Sequence, residues 1–143
     1  MRQPLNEQVE VYADVLCPFA HVGLRRFVTR RDETATALSL RVRSWPLELV
    51  NGEPLAVTTV AQKVAALRRS VGRDLFAGFD PTSWPATSLP ALQLEASAYL
   101  VGIDAGERMS VLLRDALFEH GEDISDPSVL DRLAAVAGIP AAG

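Results

Sequence analysis

The chain has 143 residues, with 14 Lys and Arg against 18 Asp and Glu for a net charge of -4, 48% apolar residues and a single cysteine. That balance suits one globular domain with a real core and excludes a disordered chain, a collagen-like repeat and a disulfide-stapled secreted scaffold. No apolar run approaches the ~18 residues of a spanning helix, the first residues lack a secretory leader, and the acidic balance gives no footprint for nucleic acid, so a cytoplasmic protein is expected.

From Gln8 to Val15, the residues Val9, Val11, Ala13 and Val15 alternate with polar or aromatic neighbours, which is the period of a strand. Tyr12 reads as strand packing there and Asp14 as a surface charge. Leu16-Cys17-Pro18-Phe19 ends the run, because proline donates no N–H yet fits the first turn of a helix. Cys17 then falls at a helix N-cap. To about Arg31, Phe19, Val22, Phe27 and Val28 recur near helical spacing, with Arg25, Arg26, Arg30 and Arg31 on the remaining, solvated surface. Leu38, Leu40 and Val42 alternate with Ser39, Arg41 and Arg43 in a second strand, closed by Trp45-Pro46. The order strand, helix, strand predicts a parallel pair with a right-handed crossover.

After Asn51-Gly52 helical periodicity takes over, which divides the chain into an α/β part over 1–52 and a helical part over 53–143. Val57, Val60, Val64, Leu67 and Val71 form one helix, stopped by Gly72. The stretch Gly78–Pro85 reads as an ordered loop that packs Phe79 and Trp84 onto the helices. Ser88-Leu89-Pro90 opens a helix to about Leu100. Asp104 and Glu107 have the spacing of a capping box ahead of Met109, Leu112, Leu113, Ala116 and Leu117. Asp126-Pro127 caps a last helix, which Gly138 ends.

The strand-to-helix junction at Cys17 is the most informative chemical feature. A thiolate there faces unpaired backbone N–H groups and the positive end of the helix dipole, an arrangement suited to a nucleophile. His21 follows one helical turn later, where it could stabilise a thiolate or move a proton; its plainer reading is a partly exposed helix histidine. Two histidines and one cysteine without ligand spacing predict no metal site.

The segment Val11-Tyr-Ala-Asp-Val-Leu-Cys17-Pro18-Phe19-Ala20-His21 through Phe27 resembles the active-site segment of DsbA-like disulfide oxidoreductases of the thioredoxin superfamily. Trp45-Pro46-Leu47-Glu48-Leu49 is similar to the tail after that family's second strand. Asp115 to Glu119 and Asp123 to Leu130 resemble motifs of its helical insertion, so the resemblance covers about residues 9–138. It implies a thioredoxin-like strand-helix-strand half with a helical insertion. It also implies that the family's C-terminal strands are missing here. Cys17 is the implied catalytic residue, with Pro18, Phe19, His21, Trp45 and Pro46 around the substrate.

Ala20 stands where the family has its second, resolving cysteine, which removes the intramolecular dithiol cycle. The expected activity is therefore that of a monothiol oxidoreductase, without a cofactor, using an external small thiol such as glutathione. Kappa-class glutathione transferases and 2-hydroxychromene-2-carboxylate isomerases share the fold and work with one active position, a serine, at the place of Cys17. A transferase or isomerase is the alternative enzyme. A third expectation is a degenerate domain that binds a partner through its helices. With only two recognisable strands the sheet exposes an edge, and a homodimer is expected.

Overall fold

The computed structural model describes residues 7–140. Two strands, β1 (Glu7–Ala13) and β2 (Leu38–Ser44), flank helix α1 (Pro18–Glu33) and pair in parallel, with Val9 opposite Leu40 and Val11 opposite Val42. A short helix α2 (Leu47–Asn51), absent from the sequence expectation, follows β2 and ends on Gly52 in the left-handed conformation (φ 80°). Next come α3 (Val57–Ser70), a 3-10 turn (Pro81–Ser83), α4 (Leu89–Val101), α5 (Ile103–Phe118) and α6 (Pro127–Ala137). Asp126 caps α6 by accepting the Ser128 N–H at 2.9 Å, and Gly138 (φ 73°) closes it, as the Asp-Pro and Gly pattern predicts. Among the described residues no helix is long and apolar enough to cross a membrane.

The sheet has one apolar and one polar face. Ala13, Leu40 and Val42 pack with Leu24 of α1 and Tyr99 of α4, while the other face carries Glu10 2.9 Å from Arg43 and Gln8 3.4 Å from Arg41. The larger cluster joins Val15, Leu16 and Val22 to apolar residues of α3 to α6 and to Phe76. Both clusters thus draw on residues from either side of position 52.

Three expectations need correction. Asp104 caps nothing: α5 begins at Ile103 straight after Gly102, so Asp104 already lies in the first turn. Glu107 turns instead to the sheet, where it pairs with Arg31 and accepts the Leu40 N–H at 3.2 Å. Arg31 is therefore held in a largely buried ion pair, off the solvated surface that helical spacing assigned to it. Phe19 lies off the buried stripe of α1, which runs through Pro18, His21, Val22 and Leu24. A residue one position from such a stripe is turned about 100° away from it.

Candidate functional site at the start of the first helix

β1 delivers the chain to a tight turn whose geometry comes from Asp14. Its carbonyl accepts the Cys17 N–H at 3.3 Å and its Oδ1 accepts the Leu16 N–H at 3.0 Å, the local turn that an Asp side chain favours. Cys17 is the N-cap of α1, half-buried, in extended backbone (φ -88°, ψ 114°). Pro18, buried at the first helical position, has no N–H to offer. His21 N–H is the first to bond within the helix, reaching the Cys17 carbonyl at 3.2 Å. No side chain caps the turn, so the amides of Phe19 and Ala20 remain free to face negative charge at the sulfur.

The loop after β2 closes on this turn. The Trp45 N–H donates to the Ala13 carbonyl at 3.1 Å, and the Trp45 ring meets Tyr12 edge-on with centroids 6.4 Å apart. Asp14 Oδ2 accepts the Leu47 N–H at 2.8 Å, which ties the start of α2 to the thiol turn. Tyr12, Phe19 and Trp45 are 62%, 55% and 49% exposed, so Tyr12 does not pack as a core strand residue. The Lys63 ammonium lies 5.9 Å from the centre of the Phe19 ring. Pro46, half-buried, caps α2. The structure thus gathers Cys17, Pro18 and Phe19 at the helix start and Trp45 and Pro46 beside the turn that leads to it. Four cavities of about 650, 600, 540 and 230 Å³ open elsewhere, and Cys17 lines none of them.

His21 belongs to a different environment. It is fully buried, which overturns the reading as a partly exposed histidine, and its ring stacks on Phe118 at 5.2 Å and meets Phe76 edge-on at 5.3 Å. Its Nε2 lies 2.7 Å from Glu119 Oε2, while Nδ1 is buried without a partner. Burial pushes its pKa below the ordinary value against the pull of Glu119 and Asp115, so the ring is held neutral. Phe118 of α5 and Phe76 of the segment after α3 enclose it.

The site residue that sequence reasoning missed is Asp14, expected at the surface and found 2% exposed. Burial raises its pKa, opposed by the N–H groups of Leu16 and Leu47 and by the field of Arg114. Arg114 is itself buried, 2.6 Å from Glu95 and 3.0 Å from the Ser110 carbonyl. Beside them Glu48 of α2 holds the start of α4, accepting from the Ser88 N–H at 2.5 Å and from the Ser88 and Thr87 hydroxyls. Burial acts to raise the Glu48 pKa, but these hydrogen bonds outweigh it and hold the carboxyl low. An Asp at the strand end, two residues ahead of an N–H it can accept, was the available clue.

Among the described residues no cluster of three His, Cys, Asp or Glu side chains could hold a metal ion. No family model matches the chain, and no curated protein matches it. Among solved structures it is similar to the crystal structure of a "putative protein disulfide isomerase" from Nitrosomonas europaea, with a TM-score of 0.70 and 18% identity, over 94% of this chain and 66% of that one. The chain therefore spans just under two thirds of that protein's length. The likeness fixes the fold class as thioredoxin-like α/β, in agreement with the resemblance read from the residues around Cys17.

Proposed function

We propose that the protein is a thiol–disulfide oxidoreductase that works through Cys17 alone. The observation that supports this most directly is the placement of a half-exposed cysteine as the N-cap of a 16-residue helix whose first amides no side chain caps. The Cys17 thiolate attacks one sulfur of a substrate disulfide, forming a mixed disulfide and releasing the other sulfur as a thiolate. With Ala20 in place of a resolving cysteine, the thiolate of an external small thiol such as glutathione attacks the mixed disulfide. Cys17 leaves as a thiolate, and the substrate sulfur departs bonded to the small thiol. A reducing compartment such as the cytoplasm would supply that thiol. No resident cofactor takes part in either step.

Exposure to oxidised glutathione followed by mass spectrometry of the intact protein tests the reading. One adduct per chain is expected on Cys17, absent in Cys17→Ser and released by reduced glutathione. An unmodified folded protein would leave the partner-binding domain as the better reading. Thiol-dependent turnover of an electrophile without a mixed disulfide would favour the transferase or isomerase.

A further inference from the structure

We propose that the groove between the second half of α1 and residues 70–75 binds a small multivalent oxyanion, one bearing phosphate or several carboxylates. The groove measures about 600 Å³, and its lining includes Arg25, Arg26 and Arg30 from α1 and Arg73 from the segment after α3, against two acids, Glu33 and Asp74. That volume lies within the range of small-ligand sites. Arg25 is partly engaged, 3.4 Å from Asp115. Among the described residues no carboxylate lies within 4.0 Å of the side-chain nitrogens of Arg26, Arg30 or Arg73.

Arg26, Arg30 and Arg73 are exposed, and helix-dipole complementation accounts for Arg30 alone among them. Helix-dipole complementation fades within the last turn, and the basic residues in the last turn of α1 are Arg30 and Arg31. Arg26 lies a turn earlier, and Arg73 lies outside any helix. Arg26 and Arg30, four residues apart, share one helix face and repel each other. A third unpaired guanidinium lines the same groove. An oxyanion that accepts from several planar forks at once relieves this repulsion, and Arg side chains suit that task.

The size of the ligand follows from the rest of the molecule. With a net charge of -4 the chain as a whole repels an extended polyanion, so concentrated positive charge in one concavity favours a compact one. The groove is separate from the thiol site, because Arg26 lies nine residues beyond Cys17, about 13 Å along the helix axis.

The test titrates pyrophosphate and, in a second arm, citrate, with ionic strength held constant by chloride, while following Tm and amide NMR shifts. A saturable rise in Tm is expected, with shifts concentrated at residues 25–33 and 70–75; the stronger arm distinguishes phosphate from carboxylate. Arg26→Ser/Arg30→Ser should weaken binding at least tenfold without altering the far-UV circular dichroism. If that double variant loses helix, Arg73→Ser carries the same tenfold criterion. A non-saturating rise, shifts elsewhere, or unchanged affinity in the variants would overturn the proposal. So would tighter binding of anionic vesicles or duplex DNA through the same arginines, which would mark a macromolecular surface.

Discussion

One carboxylate oxygen, Oε2 of Glu119, accepts from His21 Nε2 and from the Phe76 N–H, each at 2.7 Å. Phe76 is fully buried at φ 67°, a conformation costly for a bulky residue, and the bond to Glu119 together with the surrounding aromatics offsets that cost. Because the His21 pKa is lowered by burial, an unfolded chain takes up a proton near the ordinary value of 6.5 that the folded chain refuses. His21 therefore contributes stability that is fully present above pH 6.5 and is lost as pH falls through the lowered value. We expect His21→Gln to cost about 2–3 kcal/mol at pH 7, and the gap to wild type to narrow at pH 5 in urea melts. A gap that widens with acid would instead mean a charged pair with Glu119. The comparison cancels Asp14, whose pKa burial raises and whose contribution is lost as pH rises through that raised value, whereas Asp115, whose pKa burial also raises, interacts with His21 and changes with it. Asp14 is tested separately. Asp14→Ala leaves the Leu16 and Leu47 N–H groups without their acceptor, with an expected loss of about 2–4 kcal/mol and faster amide exchange confined to residues 14–17 and 45–47.

Between elements, the sheet edge and the close helix crossing are made by the same residue. Tyr99 Oη accepts the Val42 N–H at 3.0 Å and donates to the Leu40 carbonyl at 2.9 Å, so α4 holds the outer edge of β2 through one hydroxyl. Its ring lies against Gly106 of α5, where any Cβ would overlap it. Gly106→Ala should displace the ring and break both bonds, lowering stability by about 2–3 kcal/mol in chemical melts, whereas Tyr99→Phe should lose the bonds and keep the packing. Helix α1 supplies a functional test. Ala20, one turn after Cys17, packs against the sheet cluster, and Ala20→Cys should place a second sulfur within reach of the first. An internal disulfide under mild oxidant, seen as loss of both free thiols, is expected; two free thiols would show that the turn cannot support such chemistry. The elements themselves were legible because alternation and caps are local: β1, β2, the Cys17 N-cap and the Asp126 cap all follow from short spacings. Glu107 and Asp14 were not, because their partners Leu40 and Leu47 lie 67 and 33 residues away and spacing within a segment cannot point across the fold. His21 was misjudged for the same reason, since the aromatics that bury it come from α5 and the 76–84 segment.

On the scale of the whole molecule, the two edges of the sheet are treated differently. Side chains satisfy the outer edge of β2: Arg31 donates to the Leu38 carbonyl at 3.1 Å, Glu107 takes the Leu40 N–H, and Tyr99 bridges Leu40 and Val42. β1 has no such cover among the described residues. The Ala13 carbonyl faces β2, where it accepts the Trp45 N–H, so with backbone groups alternating along a parallel ladder those of Gln8, Glu10 and Tyr12 point to the other side. No strand pairs with that side in the described two-stranded sheet. An open row of donors and acceptors is a template for another strand, and a second copy of β1 is always present to supply one. We expect sedimentation equilibrium to show a concentration-dependent dimer. Glu10→Pro should abolish it, because proline removes an outward N–H without touching the ladder to β2, a position where an edge strand tolerates it. A wild-type protein that stays monomeric at its highest soluble concentration, or a Glu10→Pro variant that dimerises equally well, would place the association elsewhere. Glu10→Ala separates backbone from side chain: it removes the exposed pair with Arg43 but keeps the N–H, and dimerisation should survive it.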